Sequence, residues 1–278
     1  MKRTLAAAAF AFMTAAAPSL RAETPWVVCY SDKEPPAAFG PYRLAVLDSE
    51  HHPPLRPLKD RGKILLGYIS LGEVENHRPW YERVKGWGIL SAENPNWPGS
   101  FYVDVRDRRW VELVVAELVP AILRKGFDGI FLDTLDNPPH LERTDPKAYA
   151  GMTEAAARLV TALRRHFPGI RIMQNRGYEL LPQTAGAIDY ALGESVYAGW
   201  DFAAGKPHLQ PPDDNAFQVD ALKAAKRANP ALEVMTLDYW DPEDAAGVAK
   251  IYALQRANGF SPYVSTVELN RVIREPKR

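Results

Sequence analysis

The feature that most constrains this chain is a count of eight. Short apolar runs at 26–31, 43–47, 63–70, 129–133, 170–175, 188–193, 233–239 and 261–266 alternate with stretches of helical periodicity. Most of these runs are apolar without interruption, as in parallel strands buried on both faces. Eight of them in 278 residues predict a (β/α)8 barrel. A doubly wound open sheet is the structural alternative. It would usually have fewer strands and a Gly-rich first turn, and the chain has no G-x-G-x-x-G.

Helices are expected over 108–125, 145–167 and 241–258, the first kinked or shifted by Pro120. The connection after the third run, 71–107, is unusually long and rich in Trp, Pro and Asn. Long connections in a compact domain are often functional. With neither an internal repeat nor a linker, residues 23–278 form one expected domain. Residues 1–22 have the layout of a secretory signal peptide: Met1-Lys2-Arg3, an Ala-rich apolar run from Leu5 to Ala17, and Leu20-Arg21-Ala22 before the cut. The rival reading is an uncleaved N-terminal anchor. Cleavage implies a secreted or periplasmic protein with no membrane attachment afterwards.

Removing residues 1–22 takes away Lys2, Arg3 and Arg21 and no acid, so the balance moves from 34 basic against 34 acidic to 31 against 34. Such a chain lacks the basic field that nucleic-acid binding needs. The lone cysteine, Cys29, lies within Trp26-Val27-Val28-Cys29-Tyr30 and reads as a small core residue. A monomer is expected.

In a barrel of this kind the chemistry lies at the C-terminal ends of the strands. Those ends give Asp48 and Glu50, Tyr68, Ser70 and Glu73, Asp133 and Asp136, Gln174 and Asn175, Glu194, then Asp238, Tyr239 and Trp240, and lastly Ser265 and Thr266. The set is acidic and aromatic, as sugar rings require. Asp133 and Glu194 each close an apolar run, so they project from the same rim. Two carboxylates across a cleft are what glycosidic bond hydrolysis needs. Each has a bland reading too: Asp133 as a cap for the segment that follows, Glu194 as half of a structural ion pair. Glu73 reads equally as a ligand of a substrate amine, a buttress for Asp133 or a solvated loop residue. Tyr68 and Tyr239 either stack on sugar or fill the core, and Tyr197 and Trp200, just after Glu194, are platform candidates. Arg176 is a candidate for controlling a carboxylate's ionisation, and Asp128 reads as a turn residue. Asp48-Ser49-Glu50-His51-His52 invites a metal, but adjacent histidines diverge and Pro53-Pro54 suggest a surface turn. No metal or other cofactor is expected.

Three segments carry a resemblance: Gly67-Tyr68-Ile69-Ser70-Leu71-Gly72-Glu73, Gly126-Phe127-Asp128-Gly129-Ile130-Phe131-Leu132-Asp133 and Gly193-Glu194-Ser195. In this order they resemble glycoside hydrolase family 114, the endo-α-1,4-polygalactosaminidases, whose relatives include a Pel polysaccharide hydrolase domain. Phe101-Tyr102-Val103-Asp104-Val105-Arg106 is similar to that family's segment ahead of strand four. The resemblance implies a (β/α)8 barrel acting on an α-1,4-linked, partly N-acetylated galactosamine polymer. It implies Asp133 as nucleophile and Glu194 as general acid/base. The partner that the resemblance implies is a cationic amino sugar polysaccharide, and the residues agree on one point: a cleft lined by Asp48, Glu73, Asp136 and Asp238 would attract it. Retaining hydrolysis is expected, with the pKa of Glu194 raised by its neighbour and by partial burial. The alternatives are a secreted carbohydrate-binding barrel without turnover, a barrel hydrolase for another amino sugar polymer, and a metal-dependent deacetylase on the same fold.

Overall fold

A computed structural model describes residues 23–276. The expected signal peptide, 1–22, lies outside the described residues. From the N-terminus the chain forms β1 (Trp26–Cys29), β2 (Leu44–Leu47), α1 (Leu55–Lys59) and β3 (Ile64–Ser70). Next come β4 (Glu73–Glu75), α2 (Tyr81–Gly86), β5 (Leu90–Glu93) and β6 (Ser100–Val103). The middle of the chain holds α3 (Arg108–Leu113), α4 (Val119–Arg124), β7 (Gly129–Asp133), α5 (Asn137–Thr144), α6 (Met152–His166), β8 (Arg171–Asn175) and α7 (Leu181–Thr184). The last third holds β9 (Tyr190–Glu194), β10 (Ala198–Asp201), β11 (Lys206–Leu209), α8 (Pro212–Ala228), β12 (Glu233–Tyr239), α9 (Ala245–Ala257) and β13 (Ser261–Ser265).

Eight strands form one parallel sheet in the order β1-β2-β3-β7-β8-β9-β12-β13, and each coincides with one of the eight apolar runs. The sheet curls until its edges meet. Trp26 Nε1 donates to Ser261 O at 2.9 Å, and Tyr30 N donates to Leu269 O at 2.7 Å, joining β1 to the β13 end. The result is the (β/α)8 barrel that the run count predicted. Continuous apolar strands work here because one face fills the barrel and the other meets the helices.

The N-terminal ends of the strands carry ties that serve stability. Asp128 accepts from Leu65 N at 2.9 Å and pairs with Lys59, which makes it the structural residue its turn position suggested. Asp189 does the same below β9, accepting from Ile172 N at 2.9 Å and pairing with Arg164 and Arg171. Cys29 is buried in the core, and burial pushes its thiol up to about 11.

The helical expectations need three corrections. The segment 108–125 is not one α-helix: Val114–Leu118 is a π-helical turn between α3 and α4. That wider turn absorbs Pro120, which has no N–H to donate and sits at the start of α4. The expected helix over 145–167 starts only at Met152, because Asp145 ends α5 and Gly151 turns left-handed with φ 81°. The connection 71–107 is not a bare loop. It folds as a three-stranded antiparallel sheet, β4-β6-β5, with α2. Among the described residues no helix is long and apolar enough to cross a membrane.

Candidate active site

Side chains alternate along a strand, so the last residue of each barrel strand decides what faces the mouth. Asp133 ends β7, Asn175 ends β8 and Glu194 ends β9. The three strands are neighbours, and their terminal side chains meet. Asn175 Nδ2 donates to Asp133 Oδ1 at 2.8 Å and to Glu194 Oε2 at 2.6 Å. Those two oxygens are therefore separated by at most the sum of the two bonds, about 5.4 Å. That bound is short of the ~6.5–9.5 Å that inverting glycosidases need for an intervening water. Tyr239, the last residue of β12, donates its hydroxyl to Glu194 Oε1 at 2.6 Å. Each carboxylate thus has one oxygen fixed by the shared amide, and Glu194 has its other oxygen fixed as well.

Burial, and then the charge of Glu194, push Asp133 up to about 7. Two nearby carboxylates in a dry site cannot both ionise easily, so the pair holds one proton near neutrality. Sequence reasoning assigned the raised group to Glu194; the structure puts the raised pKa on Asp133. The bonds from Asn175 and from the Thr134 backbone lower it, by less than burial and the charge of Glu194 raise it.

The backbone directly after each of these residues is strained. Thr134, Arg176 and Ser195 have φ of 62°, 49° and 57°, in the left-handed region that costs a non-glycine residue about 1–2 kcal/mol. Each strand thus turns sharply away just past its functional side chain. Thr134 is held in place by Gly72 N, which donates to its Oγ1 at 2.8 Å, and by Ser70 Oγ, which shares a hydrogen bond with the same atom at 2.8 Å. A Cβ at Gly72 would lie 2.2 Å from Thr134 O. The glycine of the Ser70-Leu71-Gly72 string is therefore the residue that lets β3 approach the Asp133 loop.

Three of the acids expected to line the cleft do other work. Asp238 lies one residue before Tyr239 on β12, so it faces outward. It is fully buried there, taking Tyr197 N at 2.7 Å, Ala198 N at 2.9 Å and Gln255 Nε2 at 2.7 Å. Burial pushes it up to about 6. Asp48 pairs with Arg78 at 3.0 Å and accepts from Glu50 N and His51 N at 2.7 Å. Burial would raise it, but Arg78 and these backbone donors hold it below the ordinary carboxylate range. Glu73 is buried, not on a solvated edge. It accepts from Asn94 at 2.7 Å, Asn137 at 2.5 Å and Ser100, fastening the β4-β6-β5 sheet to the start of α5. Asp136 remains at the rim, 3.3 Å from Arg176, whose guanidinium also feels the charges of Glu194 and Asp133.

The aromatic candidates divide. Tyr68 stacks on Phe131 with centroids 6.0 Å apart and meets Tyr30 at 5.2 Å, filling the barrel below Asp133. Arg78 lies over the Tyr68 ring at 5.5 Å; this residue of the 71–107 connection was not singled out from the sequence. Tyr197 and Trp240 pack against Val248, Ile251 and Tyr252, and Trp240 Nε1 donates to Asp244 at 2.9 Å. Trp200 is half-buried on β10. His52 Nδ1 lies 2.9 Å from Pro53 O and its ring meets Phe127, which gives it a local structural role. Among the described residues no group of three or more His, Cys, Asp or Glu side chains is placed to hold a metal ion.

The sequence profile of glycoside-hydrolase family GH114 matches residues 7–278. The chain superposes on the glycoside hydrolase domain of PelA from Pseudomonas aeruginosa with a TM-score of 0.79 and 27% identity, covering 91% of this chain and 99% of that one. Aspergillus fumigatus Ega3, solved in complex with galactosamine, gives a TM-score of 0.70 at 14% identity, covering 94% and 99%; at that identity the likeness is one of fold. An uncharacterized protein of Deinococcus radiodurans is 28% identical over 223 residues, 77% of this chain and 67% of the relative.

Proposed function

Because this chain belongs to glycoside-hydrolase family GH114 and is a glycoside hydrolase, we propose that it cleaves internal α-1,4 bonds of a galactosamine polymer, partly N-acetylated, with retention of configuration. The observation that carries the reading is the amide of Asn175 bonded to both Asp133 and Glu194. It holds two carboxylates closer together than an inverting pair would stand, which favours a double displacement.

In the proposed reaction Asp133 attacks the anomeric carbon while Glu194 gives its proton to the departing glycosidic oxygen. The product is an ester between Asp133 and the sugar. Glu194, now ionised, takes a proton from water, and that water breaks the ester and releases the sugar. The productive form of the pair carries its one proton on Glu194 and its charge on Asp133. Tyr239 and Asn175 keep Glu194 pointed at the bond throughout.

The choice of an amino sugar rests on charge. Glu73, Asp133, Glu194 and Asp238 are all held by amides, hydroxyls or backbone N–H groups rather than by a basic side chain. Arg78 serves both Asp48 and Glu75, so that cluster also keeps a net negative charge. Such a field favours a polymer carrying free ammonium groups. With 1–22 read as a signal peptide, the polymer would be met in the periplasm or outside the cell.

The test is release of oligosaccharides from purified α-1,4-galactosaminogalactan by the protein lacking 1–22, beside Asp133→Asn and Glu194→Gln. Release by the wild type alone supports activity and site together. Release by all three proteins moves the chemistry to other residues, and no release by any removes this substrate class.

A further inference from the structure

Two hairpins, one inserted between β3 and β7 and the other between β9 and β12, touch at their tips. One is the turn between β5 and β6, which carries Trp97; the other is the turn between β10 and β11, which carries Phe202. The ring centroids lie 5.4 Å apart with the planes at 76°, an edge-to-face contact. Both rings nevertheless stay open to solvent, Trp97 by 51% and Phe202 by 44%. A core that buries Trp26 and Trp110 completely has no structural need of this pair. Two touching, half-exposed rings offer an apolar surface to which a sugar face could bind.

Each hairpin is rooted beside one of the two carboxylates. The β10–β11 hairpin leaves the rim just after Glu194, fastened at its base by Asp238. The Trp97 turn is tied by Asn94 to Glu73, and Glu73 holds Asn137 in the segment that follows Asp133. After β8 the chain makes only a short turn at Arg176 and Gly177 before Tyr178. The contact therefore joins an insertion that precedes β7 to one that follows β9, and Asp133, Asn175 and Glu194 end β7, β8 and β9. Strands of four residues at about 3.3 Å each carry Phe202 roughly 13 Å beyond the hairpin base, a distance of a few sugar units.

We propose that Trp97 and Phe202 form an outlying sugar-binding clasp. A pyranose of the polymer, some units from the bond being cut, lies with its C–H face on one ring while the other ring closes on its edge. A free ammonium group gains further from the indole face, the strongest of the aromatic cation-π surfaces. The clasp rests on the amino sugar polymer reading above. It adds a site whose contribution depends on substrate length, which the carboxylate pair alone does not provide.

The experiment is calorimetric binding of galactosamine oligosaccharides, from disaccharide to octasaccharide, to Glu194→Gln protein with and without Trp97→Ala or Phe202→Ala. With the clasp intact, affinity should step up at the length that first reaches it. Either alanine should remove the step and weaken the longer ligands by roughly fivefold, while Trp97→Phe should keep most of it. An identical length dependence in the alanine variants overturns the clasp and leaves the substrate class untouched. No binding at any length, with no release by the wild type, overturns the substrate reading and the clasp with it.

Discussion

Asp133 and Glu194 accept hydrogen bonds from the same nitrogen atom, Nδ2 of Asn175. The spacing of the pair is thus set by one amide rather than by the separate packing of two strands. The other end of that amide, Oδ1, is buried without a hydrogen-bond partner among the described residues. An unmade buried bond of this kind costs about 1–3 kcal/mol. The orientation of Asn175 is therefore dictated by the two carboxylates and not by the needs of its own carbonyl.

Removing the amide should loosen both carboxylates at once. Asn175→Ala is expected to lower kcat by about 100-fold, the cost of a small misplacement of reacting groups, with KM within a few-fold of wild type. Initial rates on polymer over a range of concentrations measure both. A change confined to KM would make Asn175 a substrate-holding residue instead.

Activity should fall as pH rises through about 7, where the pair loses its shared proton. It should fall again in acid, once both carboxylates are protonated. Tyr239→Phe removes a donor to Glu194 and so disfavours its ionised form. The alkaline limb should then move upward, by about one pH unit for a hydrogen bond worth ~1.5 kcal/mol. A limb that stays in place in the variant would remove Tyr239 from the proton balance of the pair.

The barrel was legible because parallel strands buried on both faces leave uninterrupted apolar runs. The run ending in Leu132-Asp133 and the run ending in Gly193-Glu194 both read correctly to within a residue or two of the observed ends. The roles of the neighbouring acids were not legible. Asp238 and Tyr239 are adjacent in sequence, yet one anchors the β10 hairpin and the other holds Glu194, and only the pleat decides which. The sheet within 71–107 escaped notice because β5 is mostly exposed and carries little apolar pattern. Trp97 and Phe202 come together through a contact between two loops far apart in sequence, which no local pattern encodes.

Asp133→Asn should raise stability while it abolishes activity. The pKa of Asp133 in the fold, about 7, lies above the value near 3.9 expected in the unfolded chain. The folded protein binds this proton more tightly, so the contribution is fully present below about pH 4 and is lost as pH rises through 7. The amide has no charge to desolvate, so its advantage should be small at pH 4 and reach a few degrees of Tm at pH 8. Melting curves of both proteins at the two pH values measure it. An equal Tm difference at both would mean that the carboxyl is not the source.

Gly72 offers a test that changes no functional group. A methyl at this position would press on the carbonyl of Thr134, 2.2 Å from its Cβ, and Thr134 is the strained residue that turns the chain after Asp133. Backbone cannot yield as a flexible side chain would, so Gly72→Ala is expected to displace the Asp133 loop. The expected result is a loss of kcat of at least about tenfold and a drop in Tm of several degrees. Gly86, at the end of α2, meets nothing within 4 Å of an added Cβ. Gly86→Ala should therefore keep full activity and gain up to ~1 kcal/mol of helix propensity. Equal behaviour of the two alanine variants would mean that the β3 end does not set the placement of Asp133.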